Sequence, residues 1–254
     1  DIVKVGSLIG EQDGFISSPV YASVSGTVSK VQDMLLSNGS YAPAVTIVSD
    51  GEMCADESIV PPVINSKEDL IDAIKKSGIV GLGGAGFPTY VKFNVDKPVE
   101  YLVINGAECE PYITSDTRTM LERGDDIKTG LEMILKYMDI NSVIFAIEKN
   151  KKSAVAEMQK CVGSMDKVQV KALPTVYPQG GEKQLIYALT GRKVMAGGLP
   201  MDVGCVVQNV GTCSAICEAV KEGHPLIERL TTITGSAVKN PCTWQLRIGT
   251  PVGE

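Results

Sequence analysis

The chain has no long hydrophobic run. Its longest apolar stretches, such as residues 142–147, fall far short of the roughly 20 residues that a membrane-spanning helix needs, and no charged-then-apolar signal segment opens the sequence. With 44% hydrophobic and 21% charged residues in a length of 254, the composition is typical of a soluble globular protein. We therefore expect no direct membrane span, so any link to a membrane must come through partners.

Positive charge is also scarce. The 24 Lys and Arg residues are outnumbered by 30 Asp and Glu residues, which gives a net charge of −6 and a pI near 5.0. Proteins that bind nucleic acid neutralise its phosphates with clustered Lys and Arg. The composition thus argues against a nucleic-acid partner and leaves room for small anions at local sites.

The cysteines and the histidine do not form the spacing patterns that are typical of metal and redox sites. The seven cysteines are an odd number with no CxxC pair, and a chain of 254 residues needs no disulfide staples. His224 is the only histidine and has no motif around it. We expect a reduced cytoplasmic protein with no metal site and no side chain that acts as a catalytic acid, base or nucleophile.

Residues 1–50 are predicted to form a small all-β module. Short β-type runs are separated by Gly, Ser, Pro and Asn, without a helical period. Residues 18–28 resemble the barrel-sandwich hybrid of biotinyl and lipoyl carriers, but no lysine lies between Glu11 and Ser29 to carry a prosthetic group. We predict a structural role for this module, followed by an acidic, Pro-containing linker over residues 51–65.

Helix and strand patterns alternate from residue 66 to residue 229. A capping-box-like start at Ser66 opens the first helix, and buried strands are predicted over 99–104, 143–147, 168–173 and 206–210, with helices between them. This alternation predicts an α/β fold with a central, mainly parallel sheet, helices on both faces and ligands at the carboxyl ends of the strands. Residues 230–254 turn β-like again and are predicted to open a third module, so we expect the chain to be part of a longer protein.

The most informative stretch is residues 81–92, in which Gly81, Gly83, Gly84 and Gly86 occupy four of six positions. Glycine lets the backbone take positive φ and approach a ligand closely, and Lys92 adds a cation a few residues later. The combination suits a bound phosphate. A simple tight turn is the alternative, because these glycines follow a predicted helix and lack the GxGxxG spacing of a dinucleotide-binding fingerprint.

Further blocks follow the glycine loop in a fixed order. Residues 105–116 (NGAECEPYITSD) begin at a predicted strand end, YPQGGEK starts at Tyr177, and GLP at 198–200 is followed by QNVGT at 208–212. Together with GLGGAGFPT at 81–89, these blocks closely resemble the FMN-binding domain shared by the C subunit of the Rnf complex (RnfC) and the flavoprotein subunit of respiratory complex I. The resemblance covers roughly residues 66–225. The amino-terminal module fits the Rnf protein too, and residues 230–254 resemble the start of its β-grasp module.

The resemblance implies a set of cofactor-binding residues. Backbone N–H groups of the loop would cradle the FMN phosphate, with Lys92 neutralising it. Asn105 would meet the ribityl chain or the edge of the isoalloxazine, and two glutamates would place negative charge beside the ring and lower its midpoint potential. The implied set is Gly81, Gly83, Gly84, Ala85, Gly86, Phe87, Lys92, Asn105, Glu108, Glu110, Gly181, Glu182, Asn209 and Thr212.

Some of these roles have structural alternatives. Phe87 would stack on a nicotinamide or adenine ring, or simply pack beside the loop. Glu108 and Glu110 would face the flavin, or form a solvated acidic loop. Two positions depart from the complex I pattern, which has a second glutamate at Lys183 and an acidic residue at Gly211. These departures bear more on the pyridine nucleotide than on the flavin.

The function implied by the resemblance is electron transfer in an Rnf-type ion-translocating ferredoxin:NAD+ oxidoreductase complex. FMN would exchange hydride with NAD(H) and single electrons with 4Fe-4S clusters. This chain has none of the CxxCxxCxxxCP runs that hold those clusters in the family, so the clusters would belong to the full-length protein. The implied partners are the other subunits of a membrane-bound complex and, indirectly, ferredoxin, with the protein peripheral on the cytoplasmic side of the cell membrane.

Two other functions remain compatible with the same motifs. One is a flavin-free structural adaptor of the same fold that docks partner subunits, although the intact glycines, Lys92 and Glu182 argue against an abandoned site. The other is a related NADH-dependent partner that feeds electrons to a soluble reductase.

Overall fold

The amino-terminal part forms small antiparallel sheets, as its β-type runs predict. A computed structural model describes residues 1–36 and 38–253. The strands of this part are β1 (Ile2–Val3), β2 (Leu8–Gly10), β3 (Val20–Tyr21), β4 (Gly26–Leu35) and β5 (Tyr41–Ser49). One sheet has the order β1-β4-β5, the other pairs β2 with β3, and every pairing is antiparallel.

The middle of the chain builds a four-stranded sheet with helices between its strands. Its elements are α1 (Lys67–Lys76), α2 (Thr89–Phe93), β6 (Val99–Gly106), α3 (Ser115–Glu122), α4 (Gly124–Tyr137), β7 (Ile140–Glu148), α5 (Lys152–Val162), β8 (Val168–Leu173), α6 (Glu182–Thr190), a short 3-10 helix (Pro200–Val203), β9 (Cys205–Asn209) and α7 (Val210–Glu222). The strand order is β8-β7-β6-β9, and all three pairings are parallel. The predicted parallel sheet is confirmed.

Helices cover both faces of this sheet. Successive residues of a strand point to opposite sides, so β6 contributes side chains to a core on each face. Leu102 and Ile104 of β6 join a core with side chains of α1, α4, α5 and α7. Val103 points the other way and packs in a smaller core with Leu185 and Ile186 of α6. A strand buried on both faces needs a continuous apolar sequence, which is why the run at 99–104 predicts it.

The first helix begins at the predicted capping box. The Ser66 side chain accepts a hydrogen bond from the backbone N–H of Asp69, and the Asp69 carboxylate accepts one from the backbone N–H of Ser66. This reciprocal pair satisfies backbone donors that have no partner inside the helix. Leu70, Ala73 and Ile74 then face the core.

The carboxy-terminal residues form a hairpin that touches both preceding parts. Strands β10 (Glu228–Ile233) and β11 (Cys242–Arg247) are antiparallel. Thr114, just before α3, donates from its backbone N–H to the hydroxyl of Thr232 over 3.0 Å, and the Ser23 hydroxyl donates to the carbonyl of Ile248 over 2.7 Å. Among residues 1–36 and 38–253, no helix combines the length and the apolar character that crossing a membrane requires.

Candidate functional site

The carboxyl ends of β6 and β9 meet at one edge of the sheet. Asn105 and Asn209 are direct register partners in this parallel pair. Two of the sequence blocks described above, at 105–116 and 208–212, begin at these strand ends. The topology therefore brings side chains more than 100 residues apart into one place, as expected for ligand sites in open α/β sheets.

The glycine loop, residues 81–86, lies in front of this edge. The backbone N–H of Gly81 donates to the carbonyl of Phe87 over 2.8 Å and closes the neck of the loop. Gly84 has a φ of +131° and Gly86 a φ of +61°, which L side chains rarely adopt. Within the described part of the chain, none of the backbone N–H groups of residues 83–86 donates a hydrogen bond to another residue, and all four residues are exposed. These donors belong to accessible residues and are free to bind an anion.

Leu82 attaches the loop to the rest of the molecule through both of its backbone groups. Its N–H donates to the hydroxyl of Thr212 over 3.0 Å, and its carbonyl accepts from the guanidinium of Arg229 over 3.0 Å. Thr212 is fully buried in the first turn of α7. A β-carbon on Gly83 would lie 3.4 Å from the β-carbon of Asn209. The loop thus packs against the positive end of the α7 dipole.

Lys92 lies on α2 and is paired with Glu182, the first residue of α6. Its Nζ lies 2.8 Å from Glu182 Oε1 and 3.0 Å from the carbonyl oxygen of Val207. An ammonium group has three donors, so one remains for another ligand. The structure brings together two predicted site residues from blocks 90 positions apart.

Asn105 connects β6 to the turn before α6. Its Nδ2 donates to the carbonyl of Gly180 over 2.9 Å, and its Oδ1 accepts from the N–H of Ala107 over 3.0 Å. Gly181 is the N-cap of α6, and a β-carbon on Gly180 would lie 2.4 Å from the carbonyl oxygen of Ala107. The close approach of these two segments explains why glycine occupies the turn.

Glu108 is buried and turned into the protein, with its side chain 2% exposed. Its carboxylate accepts hydrogen bonds from the backbone N–H of Asp116 at 2.8 Å and from the hydroxyl of Thr117 at 2.6 Å, and it pairs with Lys151 at 3.1 Å. A carboxylate at the start of a helix stabilises its free N–H groups. In this structure Glu108 holds the start of α3.

Glu110 and Phe87 occupy more open positions. Glu110 is exposed, and its carboxylate raises the pKa of Tyr177. Phe87 is half-buried beside the glycine loop, and Ala85 is exposed at the loop tip. Of the two glutamates predicted near a ligand, Glu110 is therefore the one with a free surface.

Asp116 was not among the predicted site residues, yet it contacts one of them. Its Oδ2 accepts a hydrogen bond of 2.7 Å from Asn209 Nδ2. Asn209 in turn caps α7, because its Oδ1 accepts from the N–H of Gly211 over 2.8 Å. Burial and the Glu108 carboxylate raise the pKa of Asp116 to about 7. Asp116 is the last residue of the sequence block at 105–116. Its place in that block was the signal by which the sequence could have identified it.

The arrangement fits a phosphate-bearing cofactor. It offers unpaired N–H donors at residues 83–86, the start of α7 at Asn209 and a half-buried ammonium at Lys92. Such donors at a helix N-terminus bind anions without further charge. In the described residues, no group of three or more His, Cys, Asp or Glu is placed to hold a metal ion.

Two protein families match the sequence. Residues 74–218 match the Nuo51 FMN-binding domain, and residues 1–52 match the RnfC barrel sandwich hybrid domain.

Relatives with established names align with nearly the whole chain. The C subunit of the proton-translocating ferredoxin:NAD(+) oxidoreductase complex of Clostridium ljungdahlii is 47% identical over 98% of this chain and 56% of its own length. The C subunit of the Na(+)-translocating complex of Acetobacterium woodii is 45% identical over 99% of this chain and 58% of its own length. The C subunit of the ion-translocating oxidoreductase complex of Pseudomonas aeruginosa is 41% identical over 99% of this chain and 33% of its own length. The chain thus spans little more than half the length of the first two relatives.

A solved structure shares the fold. A crystal structure of an NAD+-reducing [NiFe]-hydrogenase in the H2-reduced state superposes with a TM-score of 0.63 and 20% identity, over 74% of this chain and 38% of that one. At this identity the similarity supports the α/β architecture and nothing finer.

Proposed function

This chain belongs to the family of C subunits of ion-translocating ferredoxin:NAD(+) oxidoreductase complexes, and we propose from that membership that it binds FMN and exchanges electrons with NAD(H). The proposal rests on relatives 41–47% identical over nearly the whole chain and on the match of residues 74–218 to an FMN-binding domain.

One observation supports this site as the place where the cofactor binds. The exposed glycine loop has free backbone donors and lies against the start of α7. We assign the FMN phosphate to residues 83–86 of this loop. The third donor of Lys92 is assigned to the same phosphate, since its other two are used by Glu182 and Val207. Glycine at position 84 is required because its φ is +131°.

FMN, when bound, supplies two-electron exchange on one side and one-electron transfer on the other. The chain's own residues bind and orient it. Asn105 holds the turn at Gly180 beside the proposed flavin position, and Glu110 adds negative charge at the exposed side of the same edge. Glu108 acts indirectly, because its carboxylate holds the start of α3. The other cofactor-binding residues predicted from the sequence belong to this proposal. The exceptions are Glu108 and Gly81, because the backbone N–H of Gly81 already donates to Phe87.

We assign the remaining steps to parts of the assembly outside residues 1–254. Electrons would pass to the 4Fe-4S clusters that the family resemblance implies for the full-length protein. Partner subunits of a membrane complex, and ferredoxin indirectly, would accept or supply them. The protein would lie peripherally on the cytoplasmic side of the membrane.

The test is FMN binding by the purified chain, followed through quenching of flavin fluorescence. We expect saturable binding by the native chain and a loss of at least tenfold in affinity for Gly84→Asp, which places a carboxylate in the phosphate loop. Gly39→Asp is the matched control, because Gly39 also has positive φ, at +83°, but lies in the exposed β4–β5 turn. Anaerobic NADH or NADPH should then bleach the flavin absorbance.

A native chain that is folded by circular dichroism but does not bind FMN would contradict the flavin assignment. That outcome would favour the flavin-free structural adaptor. FMN binding without bleaching by either nucleotide would contradict the proposed electron exchange with NAD(H).

A further inference from the structure

Asp116 lies where two networks meet. On one side its carboxylate accepts from the amide of Asn209, which caps α7. On the other side its own backbone N–H donates to Glu108, whose carboxylate is paired with Lys151. The side chains of half-buried Asp116 and buried Glu108 thus lie in one region between β6, α3 and β9.

The glycine loop is only one residue removed from this region. Asn209 separates them, because its β-carbon would touch a β-carbon added to Gly83 at 3.4 Å while its amide binds Asp116 at 2.7 Å. Leu82, Gly211 and Asp116 also line one narrow cleft. A phosphate dianion held by residues 83–86 would therefore add negative charge one residue away from the Asp116 carboxyl, with Asn209 between them.

Charged groups of both signs surround Asp116. Glu108 opposes its ionisation, whereas Arg229 of β10 and Lys151 before α5 favour it. Glu148 at the end of β7 is buried, and its pKa is raised by burial. The ion pair of Arg123 with Glu218, together with Glu228, lines the cleft. Because burial dominates, the pKa of Asp116 lies at about 7 in the absence of ligand.

We propose that Asp116 is a positioning residue of the flavin site, which holds Asn209 against the glycine loop and takes up a proton when the phosphate of FMN enters that loop. The inference depends on the proposed FMN binding. Its physical basis is that a further negative charge near a carboxylate favours the neutral acid.

Linkage fixes the sign of the effect. If the phosphate raises the proton affinity of Asp116, binding takes up protons and FMN affinity falls as the pH rises through neutrality. A modest rise in the pKa of Asp116 on binding predicts uptake of roughly 0.3–0.5 proton per FMN at pH 7.5. It also predicts a roughly two- to threefold weaker FMN affinity at pH 8 than at pH 7. The FMN phosphate contributes little there, since the second pKa of a phosphate monoester is about 6.

The experiment is isothermal titration of the chain with FMN at pH 7.5 in buffers that differ in ionisation enthalpy, which counts the protons exchanged. We expect uptake by the native chain and almost none by Asp116→Asn, which keeps an acceptor oxygen for Asn209 but cannot ionise. Glu132→Gln, on the exposed surface of α4, is the matched control and should retain the native uptake.

Equal proton counts for the native chain and Asp116→Asn, with both binding FMN, would overturn this inference and leave the flavin function intact. Absence of any FMN binding by the native chain would overturn both. If Asp116→Asn does not fold, the native chain decides alone, because a flat FMN affinity between pH 7 and pH 8 rules out the proton uptake and a two- to threefold loss supports it.

Discussion

At the scale of single residues, the site depends on polar side chains that are already bonded within the protein. Asn105, Asn209, Thr212 and Lys92 each use at least one hydrogen bond to hold a segment of backbone. Such bonds keep the groups oriented before a ligand arrives, which lowers the entropic cost of binding. The sequence blocks predict that these four residues lie at the site. Their hydrogen-bond partners lie in segments far apart in the chain, such as Gly180 for Asn105 and Leu82 for Thr212.

Lys92→Met should weaken FMN binding by roughly ten- to a hundredfold. The change removes a charge-assisted hydrogen bond, worth about 1.5–3 kcal/mol, and leaves Glu182 without its partner. Fluorescence titration measures the effect. Lys128→Met, on α4, is the control and should bind as the native chain does; an equal loss in both variants would contradict the role of Lys92.

Glu108→Gln should lower the free energy of unfolding by about 2 kcal/mol, because it leaves the half-buried ammonium of Lys151 without its counter-charge. Urea denaturation measures this loss. Glu110→Gln is the matched change at an exposed carboxylate and should stay within about 0.5 kcal/mol of the native chain. Unchanged stability of Glu108→Gln together with lost FMN binding would indicate that Glu108 faces the ligand instead.

At the scale of secondary structure elements, the long apolar or amphipathic segments were predictable and the short ones were not. The strand predicted over 168–173 coincides with β8, and the helix predicted between it and the strand at 206–210 is α6 at Glu182–Thr190. Helix α3, which has eight residues, was not predicted from the sequence. Helices this short owe their stability to tertiary contacts more than to propensity. For α3 the decisive contact is Glu108, at its first turn.

Gly130→Ala tests the close contact between α4 and α7. A β-carbon at this position would lie 2.1 Å from the carbonyl oxygen of Cys213, so the two helices would have to separate. Alanine favours a helix by about 1 kcal/mol, but overpacking of this kind costs more, and we expect a net loss of about 2 kcal/mol in thermal or urea unfolding. Lys128→Ala on the surface of the same helix should change stability by less than about 0.5 kcal/mol.

At the scale of the whole molecule, the glycine loop is held from outside the FMN-binding domain. The matched domain covers residues 74–218, yet Arg229 of the following hairpin binds the carbonyl of Leu82. The same hairpin reaches the amino-terminal module, where the Arg247 guanidinium donates to the carbonyl of Ser23. The hairpin therefore connects the amino-terminal module to the proposed phosphate loop.

Arg229→Met should weaken FMN binding by roughly three- to fivefold, since it frees one of the two anchors of Leu82 through an exposed bond of about 1 kcal/mol. Global stability should change little. Arg118→Met, which removes a surface pairing with Glu122 on α3, is the control for a lost arginine. Native affinity in Arg229→Met would show that the hairpin does not position the loop.

The sequence alone determined the parallel α/β fold, because buried strands and amphipathic helices have their own periodicities, and it determined the order of the glycine loop, the Asn105 block, the Gly181–Glu182 pair and the Asn209 block. Only the tertiary structure decided how these blocks meet. It paired Lys92 with Glu182, turned Glu108 inward to α3, and added Asp116 and Arg229 beside the loop. Local sequence encodes which segments become strands and helices, whereas side-chain partners between distant segments depend on how the sheet edge brings those segments together.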